Sequence, residues 1–459
     1  MESQIHGDQI NRLGKLFMDT GEAQTPDDAE RILQAYRLGI RAGPKIAASP
    51  TMQASLLTAV NTGRRCFLGG VEVSGCLDVP LRIPWPRRIT LTEAVIELKG
   101  RPVDVVTPDI PQILIGDVPS LDDAPAFCVR TTFDGWCGGV FPVNDTQDLA
   151  QEQEFTPSGV LAGALGVSEA FQFVHGNNAY AGRRAVGLSL WKPELSEAWL
   201  ECEVGPRLLV LPSKAWLIGL GHLGQAYLWT LGLLPYAHPD QVELVLQDID
   251  KLVKANDSTS LLTNPDMVGL KKTRAMADWC EALGYQTRIV ERKFANNFHL
   301  EDDEPFVALC GVDNILARAD LEDVGFKRVL EAGLGAGSND YLCFQTHSFP
   351  ASHPAHERWG KASVDNNSNE LLLQLPAYRA LAARGFERCG LTQLAGRSVG
   401  ASFVGAVTSS LMIAQLLKIT LGETLDEVID GDLRTGRIQG IPSKISLSPF
   451  NPGLTDVQS

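Results

Sequence analysis

The run Trp216-Leu217-Ile218 is wholly apolar, and it passes directly into Gly219-Leu220-Gly221-His222-Leu223-Gly224 and a second apolar stretch at 225–234. A short apolar run, then glycines, then helical spacing predicts a strand, a tight turn and a helix. Another apolar run at 242–246 predicts a second strand, and Asp248 follows it by two residues. Together these form a βαβ unit suited to a nucleotide. The glycines let the backbone approach closely, the helix N-terminus attracts phosphate, and the acid suits a ribose.

The alternation continues with a predicted helix at 269–283, strands at 286–290 and 306–310, a helix at 315–321, and strands at 328–332 and 341–349. This is the pattern of an open, largely parallel α/β sheet. Residues 350–400 read as an irregular polar excursion with an Asn/Ser run at 366–369, and a strong apolar helix is expected at 404–421.

The first half is less regular. Residues 1–65 read as helical: Pro26-Asp27-Asp28-Ala29-Glu30 starts an amphipathic run to Arg41, and another helix covers 52–65. From there to about 150, Gly and Pro break the chain into short strands such as Gln112–Ile115 and turns such as Asp134-Gly135. A helix returns at 158–176. The segments Gly159–Gly176 and Gly405–Gly422 have equal length and similar apolar texture, each closed by Gly. A duplicated first copy is therefore expected, degenerate because it lacks a G-x-G-x-x-G. The division expected is 1–205 for that degenerate α/β domain and 206–459 for the Rossmann-like domain.

The chain has 459 residues, enough for two or three cored domains. Its net charge of −15 argues against a nucleic-acid partner, which demands a basic face. No unbroken apolar run reaches the ~18 to 20 residues of a membrane span. Met-Glu-Ser-Gln at the start has neither the basic nor the apolar region of a signal peptide, so a cytoplasmic location is expected. The nine cysteines include no C-x-x-C pair, which argues against a four-cysteine zinc site. Eight read as small apolar or unremarkable thiols, with Cys280, Cys310 and Cys343 assigned to the core; Cys389, in F-E-R-C-G-L-T-Q, is set apart.

Asp248, Asn256, Lys272 and Asp313 form a series that separates two kinds of nucleotide chemistry. A dehydrogenase needs the glycines and the ribose acid, but has no use for the Asn and Lys that follow. An adenylating enzyme must bind a triphosphate, neutralise its charge and hold magnesium while a carboxylate attacks phosphorus. Asn256 and Lys272 suit phosphate oxygens, and Asp313 suits magnesium, which prefers carboxylate oxygen.

The series resembles that of the ThiF/MoeB/ubiquitin-activating superfamily. Its pattern runs G-x-G-x-x-G, D-x-D, N, G-x-x-K and a strand ending in D-N. The chain reads G-L-G-H-L-G, D-I-D at 248–250, Asn256, G-L-K-K at 269–272 and Asp313-Asn314, with Arg318 five beyond the Asp. The resemblance covers about 210–422 and implies that Gly219, Gly221, Gly224, Asp248, Asn256 and Lys272 bind ATP while Asp313 holds Mg2+. Two positions depart from it: His222 stands where Gly is usual, and Thr259 where an Arg normally follows the Asn by three. Loss of that Arg removes a phosphate-binding charge.

In this family two adenylation domains face each other, and one lends an Arg to the other's ATP. Asn11-Arg12 resembles that element, making Arg12 the candidate, and implies either a homodimer or an intramolecular pseudo-dimer. Gly333 to Gly337 resembles the glycine-rich strand end beside the adenylate. Cys389 resembles the thioester cysteine of the crossing loop, with Arg388 and Arg397 near enough in sequence to favour a thiolate. His347 and His353 read as structural.

The implied function is activation of a ubiquitin-like protein. Its C-terminus would be adenylated with ATP and magnesium, captured on Cys389 and passed to a conjugating enzyme. The fused architecture looks like the activating component of bacterial ubiquitin-like (Bil) antiphage systems. The alternatives are sulfur-carrier activation in cofactor biosynthesis and a nucleotide-binding scaffold without turnover.

Overall fold

The computed structural model describes residues 7–119, 125–145, 147–360, 367–445 and 448–458. The first residues, Met1 to Gln4, and Asn366, which opens the Asn/Ser run, lie outside them.

Seven strands form the first sheet: β1 (Leu38–Ala42), β2 (Val71–Gly75), β3 (Arg101–Pro102), β4 (Gln112–Ile115), β5 (Cys128–Asp134), β6 (Cys137–Pro142) and β7 (Val186–Ser189). Their order is β3-β2-β1-β4-β5-β6-β7, parallel as far as β5 and antiparallel beyond it. A short strand, β8 (Val210–Pro212), leads into the second sheet. It contains β9 (Lys214–Ile218), β10 (Glu243–Gln247), β11 (Gln286–Val290), β12 (Val307–Cys310), β13 (Arg328–Leu334), β14 (Cys343–Phe349), β15 (Asp426–Asp432) and β16 (Arg437–Pro442). The order is β11-β10-β9-β12-β13-β14-β15-β16, again parallel for five strands and then antiparallel. The last strand, β17 (Leu454–Asp456), pairs with β8.

The two sheets thus repeat one topology, with a further edge strand on the second. Matching helices accompany it. Pro50–Gly63 follows β1 as His222–Gly232 follows β9, and Thr156–His175 follows β6 as Ser402–Leu421 follows β14. The last two are each 20 residues long and end on a left-handed glycine, Gly176 and Gly422, a C-terminal stop that a Cβ would disfavour.

These four helices pack at the seam between the sheets, where one apolar core runs through both halves; a second, smaller core, with Trp216, Val245 and Phe326, belongs to the second half alone. Within the shared core, Trp229 Nε1 donates to Thr58 Oγ1 at 3.0 Å across the seam, and the hydroxyls of Thr230 and Ser409 meet at 2.7 Å. The first of these bonds links the two halves, and both satisfy polar groups buried in the core. Ser402–Leu421 is long and apolar enough to cross a membrane, and most of it is buried inside this fold.

Several expectations need correction. The helix begun at Pro26 stops at Ala35, and Leu38–Ala42 is β1, a central strand of the first sheet. Five residues with a single polar position, Arg41, are too short a run for period to distinguish a strand from the continuation of a helix. The excursion at 350–400 is not irregular: it contains the helices Ala355–Trp359, Asn367–Leu372, Pro376–Ala383 and Arg388–Ala395. Tertiary bonds hold Pro376–Ala383: Tyr378 donates to Asp19 at 2.6 Å, and Arg384, its C-cap, pairs with Asp27 at 3.0 Å.

Candidate active site

The glycine turn after β9 is shaped by close approaches. Gly219 has φ +83°, and a Cβ there would lie 2.8 Å from Val312 Cγ1. A Cβ on Gly224 would overlap the Gly219 carbonyl, because the helix is seated on the turn. Around Gly221 the space is open, with no atom within 4 Å of where a Cβ would stand. Gly221 precedes His222–Gly232, whose first turn carries no acidic residue and no side-chain cap. Its free N–H groups and the positive end of its dipole therefore face that opening.

Asp248 closes one side. Its Oδ2 accepts from the Leu220 N–H and its Oδ1 from the Asp250 N–H, each at 2.8 Å. Lys272 begins the helix Lys272–Ala282, and its Nζ lies 3.6 Å from Asp248 Oδ2 and 2.9 Å from Asp250 Oδ2. One ammonium group is thus held between two carboxylates at the rim of the turn. Asn256 lies in the 3-10 turn Lys254–Ser258, where its Oδ1 accepts from the Val253 N–H at 2.8 Å.

Arg12 arrives from the far end of the chain. Its N–H donates to Ser258 Oγ at 3.0 Å, and its carbonyl accepts from the Gly400 N–H at 3.3 Å. Asn11 shapes the approach by accepting from the Leu13 and Gly14 N–H groups at 2.8 and 3.0 Å. Burial, then Arg397, lower the pKa of the Arg12 guanidinium, while Asp8 and Asp313 act in the opposite sense. Asp313 itself is exposed, one residue before Asn314, which caps the helix Ile315–Ala319. The structure therefore places Asp248 and Lys272 beside the glycine turn, at the mouth of the site, and Arg12 within reach of the Asp313 charge, while Asn256 shapes the turn whose Ser258 receives Arg12.

Residues 37–190 match the family model described as the BilD N-terminal domain, and residues 211–423 match the BilD C-terminal domain. Over 450 residues the chain is 41% identical to the bacterial E1-like protein BilD of Collimonas sp. (strain OK412), covering 97% of this chain and 96% of that protein. The chain belongs to the BilD family of bacterial E1-like proteins. Among solved structures, the E. coli tRNA N6-threonylcarbamoyladenosine dehydratase TcdA is similar at 14% identity, over 46% of this chain and 86% of that one, with a TM-score of 0.28. A second structure of TcdA (CsdL) gives 15% identity and a TM-score of 0.29 over the same shares.

His222, unexpected inside the glycine turn of this BilD-family chain, does not fill it. Its ring turns into the interior, where Gly405 of the last long helix and Gly400 make room for it. One ring nitrogen bonds to the backbone of Ser402; Nε2 is buried with no partner among the described residues. Burial lowers the pKa of His222 to about 4, so the ring is neutral near pH 7.

The corresponding place in the first sheet has no such cradle. Gly43 follows β1, but Pro44 comes next and offers no N–H. The Asp117 backbone lies 2.6 Å from where a Gly43 Cβ would stand, and Lys45 pairs with Asp117 at 2.9 Å.

Arg318 points away from the mouth, toward a buried acid. Its Nε lies 2.9 Å from the Val312 carbonyl and 3.1 Å from Glu331 Oε1, and His347 Nδ1 meets Glu331 Oε2 at 2.8 Å. Glu331 is wholly buried. A lone acid in the apolar strand Val-Leu-Glu-Ala was a signal for this network. Arg318, His347, Gly333, Gly335, Cys343 and Trp359 line part of a cavity of about 760 Å³. Cys343 is therefore not a core residue as expected: it is half-buried, and burial followed by Asp432 and Asp340 raises its thiol pKa.

Among the described residues Cys389 makes no hydrogen bond to the residues of the mouth. It is exposed, in the first turn of Arg388–Ala395 rather than in a loop. Neither nearby arginine serves it: Arg388 pairs with Glu370 at 3.1 Å, and Arg397, past the opposite end of the helix, with Asp8. The cysteine stands about 9 Å along the helix axis from Ala395.

Proposed function

We propose that this chain activates a ubiquitin-like protein: it adenylates the partner's C-terminal carboxylate with ATP, takes the acyl group on Cys389, and passes it to a conjugating enzyme in a bacterial antiviral pathway in the cytoplasm. The observation that carries this reading is the open glycine turn with the Asp248–Lys272 pair beside it and Arg12 within reach of the Asp313 charge, in an E1-like fold.

The residues fit the substrate. The open space at Gly221 and the unneutralised N-terminus of His222–Gly232 suit phosphate, and Asp248 suits a ribose while it orients the turn through Leu220. Lys272, Asn256 and Arg12 supply donors for phosphate oxygens, stabilising charge that builds up as the carboxylate attacks. Among the described residues no three His, Cys, Asp or Glu side chains cluster to hold an ion. A magnesium site resting on the single carboxylate of Asp313, completed by phosphate and water oxygens, is consistent with that donor set. Magnesium would supply neutralisation of phosphate charge there. The cavity beside Gly333 and Gly335 accommodates an extended protein tail. Thioester formation at Cys389 requires the helix Arg388–Ala395 to approach the mouth.

The test combines the full chain, ATP, magnesium and a candidate ubiquitin-like protein on a non-reducing gel. A thiol-sensitive adduct absent from Cys389→Ala and from Asp313→Ala is the expected result. Partner-dependent pyrophosphate exchange without an adduct, surviving Cys389→Ala, would replace it with sulfur-carrier activation. Nucleotide binding with neither signal across partners would leave a scaffold.

A further inference from the structure

Arg12 and Arg397 reach for the same carboxylate. Asp8 Oδ1 lies 3.1 Å from a guanidinium nitrogen of Arg397 and 3.9 Å from one of Arg12. The segment that carries Arg397 is pinned at this place. Val399 donates to the Ala336 carbonyl, in the glycine-rich turn after β13, at 2.8 Å, and Gly400 donates to the Arg12 carbonyl. Gly400 also packs against position 259, where a Cβ would stand 2.9 Å from Thr259 Cγ2. Thr259 brings a methyl and a hydroxyl to this place, but no charge.

The charges make the point. Both guanidiniums face Asp8, and Arg12 also feels the charge of Asp313, so two cations stand against two acids here. Once Asp313 is engaged by a cation, the arginines are left with one acid between them. The Asp8 side chain is 43% exposed and that of Arg397 is 38% exposed, so their pair is partly solvated and weak. An oligophosphate carries more negative charge than Asp8 and matches the guanidinium fork.

We infer that Arg397 joins Arg12 in binding the oligophosphate of a nucleotide at this mouth, supplying the charge that Thr259 does not, while Asp8 holds the two guanidiniums until phosphate displaces it. The inference rests on the nucleotide reading given above and concerns the phosphates beyond the first.

Calorimetric binding of ATP, AMP and inorganic triphosphate to the full chain tests it. Arg397→Ala is expected to weaken ATP and triphosphate by about tenfold or more and to leave AMP affinity unchanged, which also shows that the variant is folded. Thr259→Arg in the same background restores ATP affinity, and Asp8→Asn, which removes the competing acid, strengthens it. Equal losses for ATP and AMP, or no loss for ATP, would overturn the role of Arg397. An Asp8→Asn variant with unchanged affinity would overturn the role of Asp8. A wild-type chain that binds none of the three removes the nucleotide reading too; one that binds ATP with Arg397 indifferent removes only this inference.

Discussion

Arg65 of the first half and Asp257 of the second meet across the seam, with Arg65 Nη1 3.0 Å from Asp257 Oδ1. The other nitrogen donates to the carbonyls of Leu261 and Thr263 at 2.9 and 3.2 Å and to Asn61 Oδ1 at 3.1 Å. Burial draws the Arg65 pKa well down, so this cation is held in a dry place by what surrounds it. Asp257, Leu261 and Thr263 belong to the segment that follows Asn256, whose Ser258 receives the Arg12 N–H. The first half, which has no cradle of its own, thus fixes the shape of the second half's site.

Arg65→Ala takes a donor from the backbone carbonyls of Asp257, Leu261 and Thr263, from Asn61 Oδ1 and from the Asp257 carboxylate. The expected cost is roughly 3–5 kcal/mol, a fall in melting temperature of about 3–5 °C for a chain of 459 residues. Arg64→Ala should cost less, since its partners Asp257 and Thr263 also receive Arg65. Thermal unfolding of the two variants decides this; equal melting points would contradict the assignment.

The His222 ring occupies the space that Gly405 leaves in the last long helix. Gly405→Ala is therefore expected to destabilise by about 1–3 kcal/mol through overpacking. In a His222→Gly background the same change should cost little, since the obstructing ring is gone. A double-mutant cycle by chemical denaturation measures the coupling. Additive effects would mean that the ring does not depend on that glycine.

His222 also makes stability depend on pH. Its folded pKa, about 4, lies below the ordinary 6.5, with burial the main cause and Arg65 a lesser one. The unfolded chain binds the proton more readily, so this contribution is complete above pH 6.5 and is lost as pH falls toward 4. The sum is about 3 kcal/mol. His222→Gln should flatten the stability profile between pH 7 and pH 5 relative to wild type. Parallel profiles for the two proteins would rule the group out.

Much of the second sheet was legible because local chemistry demanded it. Gly219 and Gly224 are glycines because backbone or Val312 stands where a Cβ would go, and such positions show in any sequence. The two long helices showed for the same reason, as apolar runs ended by Gly176 and Gly422. β1 did not, because its five residues, with Arg41 the one polar position, directly extend an amphipathic helical run and are too few to show a period of their own. Nor did the Asp8–Arg397 pair, whose members stand 389 residues apart and meet only through the fold. Arg65 looked like any charged residue near a helix end; its partners, nearly 200 positions on, give it meaning.

Gly221 and Gly224 separate binding from stability within one turn. The space at Gly221 is open, so Gly221→Ala fills the cradle without striking protein, whereas Gly224→Ala drives a Cβ into the Gly219 carbonyl. Gly221→Ala is expected to weaken ATP binding by about tenfold or more while leaving the melting temperature near that of wild type. Gly224→Ala should instead cost about 1–3 kcal/mol of stability, because helix and turn must separate to admit the methyl. Calorimetry and thermal unfolding of both variants give the comparison. If Gly221→Ala bound ATP as wild type does, phosphate would not lie against that face of the turn, and the nucleotide would have to be sought elsewhere around the mouth.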